Sequence, residues 1–190
     1  MKEKNNKSKY YVITDTHHYH DRIVTQFIFR PANFNELIIK NWQTTIKEND
    51  IVFHLGDVIW GNKEQLKSIM DQLPGTKILI RGNHDKNHSN NWFLDCGFSV
   101  VLQKAQFGNI ILSHTPSILN EEEIERGIIN VHGHFHSNPP ERWEQHLKDR
   151  ITNNHFLLSL EKVNYFPNST ELIRKRKFIQ NSKELIDSIM

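Results

Sequence analysis

The chain has a single cysteine, Cys96, among 190 residues. One cysteine cannot close an internal disulfide, and it excludes a cysteine-rich zinc site. A reducing compartment suits it, so a soluble cytoplasmic protein is expected. Charge of one sign is also missing: 24 Lys and Arg stand against 22 Asp and Glu. The resulting net +2 is too small to identify a nucleic-acid partner. The longest basic run, Arg174-Lys175-Arg176-Lys177, reads as a solvated helix face. No apolar run approaches the roughly 20 residues of a membrane helix, so no membrane partner is expected. The charged start MKEKNNKSK leads into no apolar stretch, which argues against a signal peptide. Repeats, low-complexity blocks and Pro/Gly/Ser linkers are absent. The expectation is one domain over 1–190, with 1–9 flexible. An apolar content of 37% and a length of 190 residues exclude a disordered chain and suffice for a real core.

What the chain does have is histidine, 12 in all. Three fall at alternate positions in VHGHFHS, 131–137. They belong to a wider pattern in which a short apolar run is followed by a polar turn. YYVIT (10–14) leads to Asp15-Thr16-His17, and IVFHL (51–55) leads to Gly56-Asp57. KILI (77–80) leads to Arg81-Gly82-Asn83-His84-Asp85. NIILS (109–113) leads to His114, and IINV (128–131) leads to the histidine cluster. Continuous β-branched runs of this kind read as strands buried on both faces. Helical patterns lie between them. Residues 34–48 place Phe34, Leu37, Ile38, Trp42 and Ile46 on one stripe, and Asn33 with Glu36 resembles a capping box. Residues 63–73 carry Leu66, Ile69, Met70 and Leu73 and stop at Pro74-Gly75. HFLLSLE (155–161) and KVNYF (162–166) read as further strands, with helical patterns near 170–179 and 183–189.

Polar side chains that follow buried strands collect at one edge of a sheet, where open α/β folds place ligands. Carboxylate, imidazole and amide oxygen without thiolate suit Mn²⁺, Fe²⁺, Zn²⁺ or Mg²⁺. The seven candidates Asp15, His17, Asp57, Asn83, His114, His134 and His136 are too many for one tetrahedral ion. Two ions about 3.5–4 Å apart, bridged by one carboxylate, would use them all. His134 and His136 lie two apart, so an extended segment would point both to one side, with His132 in phase.

The ordered blocks D-x-H (Asp15, His17), G-D (Gly56, Asp57), G-N-H-D (Gly82 to Asp85), a lone His114 and G-H-x-H (Gly133, His134, His136) resemble the calcineurin-like metallophosphoesterase family. The resemblance implies two stacked mixed β-sheets flanked by helices, an α/β (α+β) sandwich. It implies that Asp15, His17 and His136 hold one divalent ion, that Asn83, His114 and His134 hold a second, and that Asp57 bridges them. Manganese is the leading candidate, with iron, zinc, nickel and magnesium as alternatives. It implies a metal-bridging hydroxide as nucleophile and His84 as the acid that protonates the leaving oxygen, with Asp85 orienting His84.

A narrower similarity runs through DTHHYHDRIV, FRPANFNELIIKNW and DIVFHLGDV. On it, His20 and Arg30 either line the phosphate pocket or have surface and packing roles. Arg81 either faces phosphate or forms a salt bridge. His54 reads as a satisfied core histidine. The reaction expected is hydrolysis of a small phosphodiester or nucleotide. A phosphomonoesterase is the near alternative. A nuclease would need a basic, aromatic-lined track, for which Arg142, Trp143, Lys148 and Arg150 are candidates. A non-catalytic scaffold of the same fold ranks last, because every ligand position is filled.

Overall fold

Each of the five apolar runs that precede a polar turn folds as a strand. The computed structural model describes residues 7–24 and 30–175. Strands β1 (Tyr10–Ile13), β2 (Ile51–His54), β3 (Thr76–Ile80) and β4 (Val100–Leu102) pair in parallel. A two-residue strand adds antiparallel on the outer side of β1. This strand, β9 (Asn168–Ser169), makes the sheet order β4-β3-β2-β1-β9. The second sheet has the order β5-β6-β7-β8, from β5 (Ala105–Phe107), β6 (Ile110–Ser113), β7 (Ile129–His132) and β8 (His155–Leu157). There β5 is antiparallel to β6, and the rest are parallel. Both sheets are therefore mixed, and they stack as expected.

The period-2 alternation of strand side chains explains the layers. Val12, Phe53 and Ile80 face the second sheet and pack with Ile110, Leu112 and Val131. Tyr11, Ile13, Val52 and Leu79 face the other way, onto helices. Those helices are α1 (Phe34–Thr45), α2 (Lys63–Met70) and α3 (Asn90–Asp95). Trp42 of α1 is fully buried, and its indole N–H donates to Pro74 O at 3.0 Å. Two further short helices are α4 (Glu121–Glu125) and α5 (Gln145–Lys148). Among the described residues, no helix is long and apolar enough to cross a membrane.

Several local expectations are corrected. Helix α1 stops at Thr45, not 48, because Asp50 folds back to accept the Lys47 N–H at 2.9 Å. Asn33 makes no side-chain cap. Reciprocal capping boxes form instead at Asn62/Gln65 and Asn120/Glu123. KVNYF is not a strand: Glu161–Val163 is a 3-10 turn, and Asn164 and Tyr165 have left-handed φ of 51° and 63°. Lys9 is tied down, its N–H donating to Asp50 Oδ1 at 2.9 Å, while residues 1–6 lie outside the described residues. The pattern near 170–179 is helical over 170–175. The one near 183–189 falls outside the described residues, as does the second half of the basic run.

Candidate metal centre

All five polar turns leave the carboxyl ends of their strands on the same side of the two sheets, so the fold gathers them in one place. The turns approach so closely that side chains are excluded at three glycines, Gly56 against the Gly82 backbone among them. A Cβ on Gly82 would land on the Asp57 carboxylate, and one on Gly133 would land on Thr14 Oγ1 and Asp15 Oδ2. Eight described non-glycine residues have positive φ, and Asp15, His17, Asp57, His134 and His136 are among them. L-residues rarely adopt that conformation, which costs about 1–3 kcal/mol each and persists where the surroundings enforce it.

Those surroundings are hydrogen bonds that leave one lone pair of each group aimed inward. Asp15 Oδ2 accepts from Thr14 Oγ1 at 2.6 Å and from the His134 N–H at 3.0 Å. Asp15 Oδ1 and His17 Nε2 are buried and have no hydrogen-bond partner among the described residues. Asp57 Oδ1 accepts the His84 N–H at 2.9 Å, which frees Oδ2. His114 Nδ1–H donates to Leu55 O at 2.7 Å, which turns the Nε2 lone pair inward. His136 Nδ1–H donates to Glu161 at 3.3 Å and His134 Nε2–H to Glu144 at 3.2 Å.

Two groups of acceptors result. His17 Nε2 lies 4.0 Å from Asp15 Oδ1 and 3.5 Å from Asp57 Oδ2, and His136 Nε2 lies 3.7 Å from Asp15 Oδ1. In the second, His114 Nε2 lies 3.4 Å from Asp57 Oδ2, 2.8 Å from Asn83 Oδ1 and 3.3 Å from His134 Nδ1. Ligand atoms held about 2.0–2.2 Å from an ion stand roughly 3.0–3.6 Å apart. Both groups are near that spacing, and Asp57 Oδ2 belongs to each. Oxygen and nitrogen lone pairs packed at these distances repel unless positive charge lies between them. The pull on positive charge shows at His114. Burial works to lower its pKa, but the hydrogen bond and charges of Asp57 and Asp15 raise it to about 9. Burial dominates at His17 and holds it well below the usual histidine value. The donor set fits divalent cations: Asp15, His17 and His136 form one candidate cluster, and Asp15, Asp57 and His114 another.

The remaining predicted residues divide. His84 stands at the mouth, its side chain 42% exposed and its Nε2 3.9 Å from Asp57 Oδ2. His20 lines the same cavity and stacks on Trp60, with ring centroids 4.5 Å apart and planes at 12°. Asp85 does not touch the His84 ring. Its carboxylate accepts the N–H groups of Asp57 (2.8 Å), Gly82 (2.8 Å) and Val58 (3.1 Å), tying the second turn to the third. Arg30 is buried. It donates to Asp15 O, Thr16 O and Glu161. Arg81 donates to Asn90 Oδ1, Asp85 O and His88 O, stapling its own turn. His134 and His136 converge through left-handed turns, not along an extended strand. Strand β7 ends at His132, which alternates away from Val131 and sits 6.0 Å from the His155 ring. His18 hydrogen-bonds Asn35 at 3.0 Å and is a packing residue. Glu161 and Glu144, the carboxylates behind His136 and His134, went unseen in the sequence. Separations of 25 and 10 residues carry no motif.

Comparison with known proteins agrees with this geometry. The description of the Calcineurin-like phosphoesterase family matches residues 8–186. An uncharacterized protein of Methanocaldococcus jannaschii is 32% identical over 173 residues, covering 88% of this chain and 90% of the relative. The Gene 66 protein of Mycobacterium phage D29 is 26% identical over 158 residues, covering 68% and 79%. The crystal structure of an Aquifex aeolicus protein of unknown function superposes with a TM-score of 0.66 at 30% identity, over 89% of this chain and 99% of that one.

Proposed function

We propose that this chain, which belongs to the calcineurin-like phosphoesterase family, is a metal-dependent phosphodiesterase acting on a nucleotide or another small phosphodiester. The observation that carries the reading is the pair of acceptor groups sharing Asp57 Oδ2, with Asp15 Oδ1 and His17 Nε2 buried and unpartnered. Asp15, His17 and His136 would hold one divalent ion and Asn83, His114 and His134 the other, with Asp57 common to both and manganese the first candidate. Such a pair supplies Lewis acidity that activates water and neutralises phosphate oxygens. The chain's own residues do the rest. His84 is exposed enough to meet a substrate and close enough to the Asp57 carboxylate to stand beside the scissile bond, where it gives a proton to the leaving oxygen.

Substrate size and charge follow from the cavity. About 480 Å³ is bounded by His17, Asp57, Trp60, His84, His134 and His136, a volume in the small-ligand range. Arg22 and Glu144 line it with opposite charges. A phosphodiester carries one negative charge near neutrality and a monoester nearly two. Apart from the ions, which either ester would meet, Arg22 and Glu144 cancel, so the lining adds no counter-charge for the second negative charge of a monoester. The nuclease reading has less support. Trp143, the aromatic member of the basic stretch, is stacked flat on Phe135 at 4.4 Å and donates to Asn138 O, while Arg150 donates to Pro116 O.

The test is hydrolysis by chelator-stripped protein re-loaded separately with Mn²⁺, Ni²⁺, Zn²⁺ and Mg²⁺. A chromogenic phosphomonoester and phosphodiester are offered side by side. Turnover should need metal, favour the diester, and vanish in Asp57→Asn together with binding of both ions. No turnover and no two-ion stoichiometry would leave the scaffold reading.

A further inference from the structure

The geometry points to Trp60 as the stacking platform for a nucleobase on the leaving group, so that the substrate is a phosphodiester whose departing alcohol is a nucleoside. This rests on the phosphodiesterase reading above and names its substrate.

Trp60 is 54% exposed although it follows the buried strand β2 by only a few residues. It is not a loose side chain. Its backbone N–H donates to His18 O at 2.8 Å, and neighbouring Ile59 pairs with His18 in a β-bridge. Its ring is stacked on His20 at 4.5 Å and stands edge-on to His84 at 5.4 Å. An exposed indole held this firmly is the kind of rigid aromatic surface on which flat ligands stack.

Its position decides which part of the substrate it meets. Trp60 and His84 border two cavities at once. One is the 480 Å³ space over the acceptor groups. The other is about 330 Å³, bounded also by Ile59, Gly61, Asn87 and His88. His20 borders only the first, so the second cavity meets parts of Trp60 that His20 leaves uncovered. His84 is the group placed to protonate the departing oxygen. The space on its far side is therefore where the departing group sits.

The lining of that space selects its chemistry. Among the described residues it holds no Lys, Arg, Asp or Glu. A leaving group bearing a further phosphate or a carboxylate would find no counter-charge there. It does hold the Asn87 amide, a donor and an acceptor together, and the His88 imidazole, fixed by stacking on Trp92 at 3.8 Å. A flat, uncharged ring with polar edges matches an indole platform rimmed by an amide and an imidazole. An aliphatic alcohol would use neither. In the reaction, an oxygen of water forms the new bond to phosphorus, and the bond from phosphorus to the nucleoside oxygen breaks. That oxygen takes the proton from His84, and the proton lost by water returns to the histidine. The products are a phosphomonoester and a free nucleoside.

The test compares the methyl ester of adenosine 5′-phosphate with the methyl ester of ribose 5-phosphate, which differ only in the base. Metal-loaded wild type should release adenosine and methyl phosphate and should favour the base-bearing ester. In Trp60→Ala that preference in kcat/KM should fall by about 5- to 150-fold, the worth of one stacked base. Trp60→Phe should restore most of it. Adenosine should also quench tryptophan fluorescence of the wild type and not of Trp60→Phe, a reading that needs no turnover. An unchanged preference in Trp60→Ala, or release of adenosine 5′-phosphate and methanol, overturns the proposal. If neither ester is hydrolysed in an Asp57-dependent way, the phosphodiesterase reading itself has failed. Absence of adenosine quenching then removes the platform as well, and its presence keeps it.

Discussion

Glu161 is one carboxylate with three dependants, and replacing it with glutamine should show all three. Its Oε1 accepts from Arg30 Nη2 at 2.6 Å, from Arg30 Nε at 2.9 Å and from His136 Nδ1 at 3.3 Å, while Oε2 accepts from Ser159 Oγ at 2.9 Å. Burial works to raise its pKa, but the His136 hydrogen bond and the Arg30 charge outweigh it and hold the carboxyl well below its usual value. Arg30 in turn fastens the backbone of the first polar turn through Asp15 O and Thr16 O. Glu161→Gln keeps the shape and one accepting oxygen but removes the charge opposite a fully buried guanidinium. Breaking a buried ion pair costs about 3–5 kcal/mol, and the retained oxygen places this case near the lower end. For a domain of this size, that corresponds to a fall in Tm of roughly 6–12 °C. The metal effect should be selective. Loss of a carboxylate behind a ligand histidine typically weakens the ion about 10–100-fold. Here it should weaken the ion assigned to Asp15, His17 and His136 and leave the other within about 3-fold, since no Glu161 contact reaches the second group. Competition titration against a chromophoric chelator resolves the two steps, and thermal unfolding in chelator isolates the stability change. Adding Arg30→Met should recover part of the stability without restoring the ion. Equal weakening of both ions, or no weakening of either, would refute the assignment of Glu161 to one site.

Three further outcomes are expected. His84→Ala should keep both ions and slow hydrolysis most for esters with poor leaving groups, read as the dependence of kcat/KM on leaving-group pKa; equal loss across the series would remove the acid role. Asp85→Asn should lower Tm and metal affinity together, because a donor replaces an acceptor facing buried N–H groups at about 1–3 kcal/mol. The shape of its pH–rate profile should not move, which separates a backbone staple from a residue that orients His84. His54, pushed down to about 3 chiefly by burial, accepts the Gly56 N–H at 3.1 Å and hydrogen-bonds Thr16. Its folded pKa lies below the unfolded value, so its contribution is full above about pH 6.5 and declines as pH falls toward the folded pKa. Between pH 7.5 and 5, wild type in chelator should lose about 2 kcal/mol more unfolding free energy than His54→Asn.

The elements legible in the sequence were those with both a composition and a period. The five β-branched runs carry both, and each is flanked by residues that cannot continue a strand. Strands β4 and β5 lack the combination: Val100-Val101-Leu102 has the composition but is only three residues long, with Val100 and Leu102 exposed at the sheet edge, and Ala105-Gln106-Phe107 is as short. KVNYF looked like a strand because Val, Tyr and Phe favour one. Left-handed turns at Asn164 and Tyr165, with Glu161 drawn to Arg30 and His136, overrode that preference. The site divides along the same line. The acceptor residues were visible because each sits in the polar turn that directly follows a strand. Their supports were not, because Arg30 meets Glu161 across 131 residues and Glu161 meets His136 from a segment with no motif of its own. Asp85 lies away from its expected place for a related reason. Adjacency to His84 suggested contact with it, whereas a 3-10 turn over His84–Asn87 sends the Asp85 carboxylate back toward the N–H groups of Asp57 and Gly82.

Those supports explain why the strained turns persist. Asp15, His17, Asp57, His134 and His136 occupy a backbone region that L-residues avoid, and their free lone pairs are crowded together. Neither feature stabilises the fold by itself. Both are enforced by bonds made elsewhere: Thr14 and the His134 N–H on Asp15, the His84 N–H on Asp57, Leu55 on His114, Glu161 on His136. The rigid part of the molecule thus holds five turns in a geometry that only positive charge completes. An ion arriving there meets ligands already oriented, and its binding energy is not spent on ordering them. The same argument bears on Trp60. It is the one exposed tryptophan bordering the site, and its backbone is fixed to the first polar turn through His18. A platform set by that turn keeps its distance to the acceptors, so a base stacked there would present its phosphorus at a defined place.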